Sequence, residues 1–175
     1  MDYDKNQIIQ LLQNQTKVLS GWFESQPEER FEFAPGDAWT TGQHLLHLIK
    51  SAKPLAVGLG FPRVVLLFKF GRVKQPSRNY EETIKYYKDG LSKGGQATGK
   101  YIPRTVKFEE KNDLIKRFRS EMNGLIEAVG KWDDGKMDKA QLPHPLLGNL
   151  TVREMLYFTN YHVEHHHKIL QERYA

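Results

Sequence analysis

Four long segments of this 175-residue chain carry apolar side chains at the spacing of an amphipathic α-helix. The spacing predicts helices over residues 4–24, 41–57 and 109–129, and a last helix over residues 151–174. Helices of this kind bury their apolar faces by packing against one another. The predicted fold class is therefore all-α, a four-helix bundle formed by a single domain over residues 1–175.

Two of the predicted helices begin with a sequence that caps their first turn. Thr40 lies three residues before Gln43, and Thr151 lies three residues before Glu154. In this pattern each side chain accepts a hydrogen bond from a backbone N–H that the helix itself leaves free. Pro54 lies inside the second helix, and we expect it to kink or shorten that helix.

A long segment, residues 58–108, separates the second and third helices and is here called the crossover. It is far longer than a usual helix–helix connection and lets its two flanking helices run parallel. Within the crossover, residues 64–70 are apolar and β-prone, and residues 79–91 predict a short helix. Outside it, residues 133–149 are predicted to be a polar connector before the last helix. We expect the crossover to be a lid or pocket wall. The expected wall residues are Phe61, Phe68, Phe70, Tyr80 and Tyr101.

The composition limits the expected cellular location of the protein and the kinds of partner that it can bind. The chain has no cysteine, which excludes disulfides, thiolate metal ligands and a cysteine nucleophile. No apolar signal region is present at the start, and the longest apolar run, residues 64–68, is too short to span a bilayer. We therefore expect a cytoplasmic protein with no membrane partner. The net charge of +5 raises the question of nucleic acid, but cations and carboxylates are intermixed, so such a partner is not expected.

Two histidines of the last predicted helix are candidate metal ligands. His162 and His166 stand four residues apart, so a helix brings their imidazoles onto one face. On a helical wheel both lie within the apolar stripe that includes Phe158 and Val163. A buried imidazole needs a polar partner. A metal ion is one such partner and an ordinary hydrogen bond is another, and the spacing leaves both open.

The other five histidines give weaker signals. The wheel places His47 opposite the apolar stripe of the second helix, which predicts an exposed residue or one at a cleft. His44, one turn earlier, is a candidate to support a ligand or to face substrate. His165 and His167 are expected on the flanks of the last helix. His144 lies in a loop before that helix, and we expect it on the loop surface, with a position at the pocket mouth as the alternative.

The segment from Trp39 to Leu48 resembles the DinB-like family (the DinB/YfiT-like metalloenzymes). Members of that family carry a Trp at the start of the second helix and a His-Leu pair eight residues later, as Trp39 and His47-Leu48 do here. Their last helix carries a His-x-x-x-His element with an extra His before the final one. The matching residues are His162, His165 and His166.

The resemblance implies a DinB-like bundle that binds one divalent metal ion through His47, His162 and His166. Zinc or nickel is the expected metal, since imidazole suits both. It also implies a metal-dependent hydrolase or thiol S-transferase acting on a small molecule, for example a low-molecular-weight thiol. The candidates for a general base are His44 and Glu154.

Two other readings remain open. In the first, the protein is a non-catalytic metal-binding stress or interaction protein, a homodimer formed through faces of the bundle. In the second, it is a basic module that binds nucleic acid, and its histidines are structural.

Overall fold

The computed structural model describes residues 2–174 and contains seven α-helices and one short hairpin in that range. The α-helices are α1 (Lys5–Glu24), α2 (Glu28–Phe31), α3 (Thr41–Leu59), α4 (Arg63–Phe70), α5 (Tyr80–Ser92), α6 (Lys111–Gly130) and α7 (Val152–Arg173). The strands are β1 (Gln141–His144) and β2 (Gly148–Thr151), and 3₁₀ turns occur at Gly99–Tyr101, Phe108–Glu110 and Asp134–Lys139.

Helices α1, α3, α6 and α7 form a four-helix bundle, as the sequence predicts. α6 and α7 each pack against both α1 and α3, so the four helices enclose one core. The largest fully buried side chains are those of Tyr157, Phe23, Phe31 and Phe118. Apolar burial of this extent is the main stabilising contribution to such a fold.

Capping boxes fix the starts of the two helices that carry the candidate ligands. At α3 the Thr40 hydroxyl accepts from the Gln43 N–H at 3.1 Å, and the Gln43 side chain accepts from the Thr40 N–H at 2.9 Å. At α7 the equivalent distances between Thr151 and Glu154 are 3.2 and 2.7 Å. Pro54 does not shorten α3, because the helix continues through it to Leu59.

The crossover contains more helix than the sequence predicts. Residues 64–70, which look β-prone, lie in α4, while the short helix predicted near residues 79–91 is confirmed as α5. A strand needs a neighbouring strand to pair with, and among the described residues the only sheet is the two-stranded hairpin. α4 instead turns the buried Leu66 inward and packs against β1.

The segment before α7 is not only a polar connector. Residues 141–144 pair antiparallel with residues 148–151, with Gln141 opposite Thr151 and His144 opposite Gly148. The hairpin carries Leu142 and Leu150 into the core and places His144 beside the bundle.

No helix in the described range has both the length and the apolarity to cross a bilayer by itself. α3 and α4 reach that composition only as a pair, which is bent by 110°.

Candidate metal centre

Three imidazoles from two helices of the bundle lie side by side. His47 comes from α3, and His162 and His166 come from successive turns of α7. The Nε2 atom of His162 lies 3.2 Å from Nε2 of His47 and 3.0 Å from Nε2 of His166. All three residues are buried, with exposed fractions of 5–6%. We call this group the histidine centre; it forms one cluster with metal-ligand spacing.

His47 is not exposed, which is one of the two positions that the helical wheel predicted, but it does line a cleft, which is the other. The helical wheel identifies only the apolar face that α3 packs against the bundle. The face of α3 that carries His47 is covered by other parts of the chain. The Trp39 ring lies 4.9 Å from its ring centre, and the crossover contributes the Tyr101 carbonyl at 2.8 Å from its Nδ1. His47 is therefore enclosed between the bundle and the crossover.

The contact with Tyr101 also fixes which nitrogen of His47 carries the proton. A carbonyl oxygen only accepts hydrogen bonds, so Nδ1 of His47 is the protonated nitrogen and donates to it. Nε2 of His47 then carries a lone pair, and this atom is the one that faces His162.

A longer hydrogen-bonded chain fixes His166 in the same way. The Tyr174 hydroxyl donates to the Trp39 carbonyl, so its oxygen is free to accept from Nε2–H of His44 at 3.2 Å. Nδ1 of His44 is then an acceptor, and it lies 2.8 Å from Nδ1 of His166, which donates to it. Nε2 of His166 is left with a lone pair that faces His162.

These distances and tautomers fit a divalent metal ion. Two nitrogens bound to one tetrahedral zinc ion at the usual bond length lie about 3.3 Å apart, close to the 3.0 and 3.2 Å found here. Nε2 of His162 carries at most one proton, so it satisfies only one of the two lone pairs that face it. A cation among the three nitrogens would satisfy all of them.

The charge state of the centre suits the same role. Burial lowers the pKa of His47, partly opposed by its hydrogen bond to Tyr101. Burial, followed by the neighbouring imidazoles, lowers the pKa of His162 and His166 well below the usual range. Burial and the nearby His47 lower the pKa of His44 to about 4. Neutral imidazole is the form that binds metals.

The histidine centre lies in the wall of a cavity of about 660 Å³. Most of the wall is apolar, and its charged residues in the described chain are Lys53, Lys69 and Lys100, without any carboxylate. The crossover contributes Phe61, Phe70 and Tyr101, as predicted. Two predicted wall residues are wrong: Phe68 is 94% exposed, and Tyr80 packs against Tyr3 and Tyr157 instead.

Neither candidate for the general base reaches the cavity wall. Glu154 is buried at the start of α7, where its carboxylate caps the helix and accepts from the backbone and side chain of Arg78, both at 2.9 Å. His44 lies behind His166 and contacts its far nitrogen. The position of His44 suits a residue that orients a ligand.

His144 and His165 line the cavity, whereas the sequence favours a loop surface for His144 and a helix flank for His165. Nδ1 of His144 accepts from the N–H groups of Leu146 and Leu147 at 3.1 Å each, so its proton is on Nε2. Burial lowers the pKa of His144 to about 4. The sequence does contain an indication that His144 is buried, because Leu142, Leu146 and Leu147 flank it and predict a buried turn. His167 packs beside Trp22, away from the cavity.

Comparison with known proteins agrees with this architecture. A solved structure described as TT2238, a four-helix bundle protein, is 20% identical, with a TM-score of 0.59 over 95% of this chain and 98% of that chain. This likeness concerns the fold. No functionally curated protein matches the chain significantly. The model of the DinB superfamily matches residues 10–170. The chain therefore belongs to the DinB superfamily.

Proposed function

We propose that this protein is a metal-dependent enzyme that acts on a small molecule, as a thiol S-transferase or a hydrolase. The observation that carries the proposal is that the Nε2 atoms of three imidazoles meet in a cavity wall instead of a closed core. Structural zinc sites have four protein ligands, whereas catalytic sites have three and an open position. Within residues 2–174, no fourth His, Asp or Glu joins the centre. Zinc or nickel is the proposed metal.

When bound, the metal would supply Lewis-acid activation of a water or a thiol and would polarise a substrate carbonyl. The protein's own residues have separate tasks. The Tyr101 carbonyl and His44 hold His47 and His166 with their lone pairs toward the centre. His144, which carries its proton on Nε2, is a hydrogen-bond donor in the cavity wall.

The cavity favours a small substrate with an apolar body and an anionic group. Its volume of about 660 Å³ is typical of small-molecule sites. Apolar side chains form most of its wall, and its only charged residues in the described chain are lysines. The missing carboxylate also favours thiol transfer over hydrolysis. A thiol, with a pKa of about 8.5, needs less help to ionise than water does.

Metal content is the first test. We expect the untagged protein to bind about one divalent ion per chain and His47→Ala or His162→Ala to lose it while circular dichroism shows an intact bundle. His167→Gln is the matched control, because that residue lies outside the cavity and should leave metal content unchanged. Equal metal content in all four proteins would contradict the proposed ligands.

Thiol binding tests the reaction class. A low-molecular-weight thiol with a carboxylate should raise the melting temperature of metal-loaded protein and leave metal-free protein unchanged. Transfer of that thiol to an electrophile should be lost in His47→Ala. A loaded protein that neither binds thiols nor hydrolyses esters would instead support the non-catalytic metal-binding alternative.

A further inference from the structure

The positive charge of this chain is unevenly distributed. Residues 38–80 contain seven Lys and Arg residues and not one of the chain's 21 Asp and Glu residues. This acid-free segment includes α3, α4 and the first part of the crossover. Two of these cations pair with carboxylates from other parts of the described chain, Lys53 with Glu121 and Arg78 with Glu154. Most of the positive charge of the segment is therefore left uncompensated.

The same segment exposes an apolar stripe. Val64, Val65 and Phe68 lie on one face of α4, and Phe61, two residues before α4 begins, continues their i, i+3, i+4, i+7 spacing. Their exposed fractions are 48%, 69%, 39% and 94%, respectively. The opposite side of α4 carries the buried Leu66 and packs against β1. An exposed stripe of this kind commonly marks an interaction site.

Four cations lie in α4 or just after it: Arg63, Lys69, Arg72 and Lys74. All four are exposed, and none forms an ion pair with any described residue. Arg63, Arg72 and Lys74 also line a shallow cleft with Lys139 and Asp138. The Asp138 carboxylate is already bound by Arg153 at 2.8 Å, so the cleft keeps a positive excess. We call these four cations and the apolar stripe the α4 surface.

We propose that the α4 surface docks on an anionic lipid bilayer. A second copy of the chain is a poor occupant, because a two-fold interface would bring the same uncompensated cations together. A nucleic acid would satisfy the cations but leave Val64 and Phe68 exposed to water. A bilayer with anionic headgroups matches both features, because the apolar face enters the acyl boundary while the cations meet the headgroups.

This mode of binding needs no membrane-spanning segment. The expectation of no membrane partner rested on the short apolar run at residues 64–68, which concerns spanning and not lying on a surface. Docking would also bring the cavity close to the lipid, because Phe61 and Lys69 line the cavity and belong to the α4 surface. The inference does not depend on metal binding or catalysis.

Vesicle cosedimentation of the untagged full chain tests the proposal. Vesicles of phosphatidylcholine with about 30% phosphatidylglycerol should bind the protein, and vesicles of phosphatidylcholine alone should not. Phe68→Ser should weaken binding about tenfold, and Val64→Ser about fivefold. Arg72→Gln with Lys74→Gln should weaken it about 30-fold and make the remaining binding less sensitive to salt.

Matched controls come from other parts of the surface. Val18→Ser replaces a valine on α1 that is 45% exposed, and Lys116→Gln with Arg117→Gln removes two exposed cations from α6. Neither control should change vesicle binding by more than about twofold. Melting curves should be similar for all variants, because every substituted side chain is exposed.

Four results would overturn the proposal. The first is equal retention of the protein by anionic and neutral vesicles, and the second is equal binding by Phe68→Ser and the parent protein. The third is binding of duplex DNA with an affinity that depends on Arg72 and Lys74 but not on Phe68. The fourth is a dimer in sedimentation equilibrium that Phe68→Ser dissociates, which would mean that a second copy occupies the surface.

Discussion

At His166 the ring nitrogen that faces away from the histidine centre is held by another histidine. His44 accepts from His166 at 2.8 Å and donates at 3.2 Å to Tyr174, which donates to the Trp39 carbonyl. Such outer contacts set the orientation and tautomer of a metal ligand and tune its affinity. The residues around the centre therefore matter for binding as well as the three nitrogens themselves.

Tyr174→Phe tests this chain of hydrogen bonds. Without the hydroxyl, Nε2–H of His44 loses its acceptor, and His44 is free to take the tautomer that opposes the Nδ1–H of His166. We expect the metal dissociation constant to rise about tenfold, measured by competition with a chromogenic chelator. The absorption spectrum of the cobalt-loaded protein should shift as well.

Tyr86→Phe is the control for this experiment. Its hydroxyl also donates to a carbonyl, that of Leu147 at 3.2 Å, but it has no contact with the histidine centre. Unchanged metal affinity in Tyr174→Phe, or an equal loss in Tyr86→Phe, would contradict the assigned chain of hydrogen bonds.

Among the elements, the start of α3 depends on a close approach to two other segments. A Cβ atom at position 42 would lie 2.8 Å from a ring carbon of Phe31 and 3.0 Å from Cβ of Val106. Both neighbours are fully buried, which leaves little room for movement. Gly42 thus lets α2 and the crossover pack directly against the helix that carries His47.

Alanine at two helical glycines should have opposite effects on stability. Gly42→Ala should lower the free energy of unfolding by about 1–3 kcal/mol, because the added methyl group overpacks a rigid contact. Gly124→Ala in α6 meets nothing within 4 Å, so it should raise that free energy by up to about 1 kcal/mol through helix propensity. Urea denaturation of metal-free protein measures both, and changes of the same sign would contradict the close packing at Gly42.

Across the whole molecule, buried neutral histidines make the stability depend on pH. Burial lowers the pKa of both His44 and His144 to about 4, from 6.5 in the unfolded chain. Below pH 6.5 the unfolded state therefore binds more protons than the folded state, so acid favours unfolding. The stabilising contribution is complete above pH 6.5 and is lost as the pH falls toward 4.

We therefore expect the free energy of unfolding of metal-free protein to fall between pH 6.5 and pH 4. Each such histidine contributes a slope of about 1.4 kcal/mol per pH unit. The side chain of His144→Asn still offers an acceptor to the N–H groups of Leu146 and Leu147, but it does not titrate. The slope for this variant should therefore be smaller by the contribution of one histidine, about 1.4 kcal/mol per pH unit. Identical slopes in chemical denaturation at several pH values would show that His144 does not contribute.

The sequence by itself determined the parts of this protein that depend on near neighbours in the chain. Apolar periodicity predicted the four bundle helices, and the Thr40 and Thr151 capping boxes predicted where two of them begin. The spacing of His162 and His166 placed two imidazoles on one buried face of α7. These features follow from helix geometry, which repeats within a few residues.

Only the tertiary structure decided which distant segments of the chain pack against those helices. His47 is buried because Tyr101, 54 residues away, lies over it, and His144 reaches the cavity because a hairpin folds beside α7. Residues 63–70 have no strand to pair with among the described residues, and as the helix α4 they pack one face against β1. The apolar pattern of a helix predicts which of its faces packs against neighbouring helices. The contacts of His47, His144 and α4 depend instead on the path that long connections take through space.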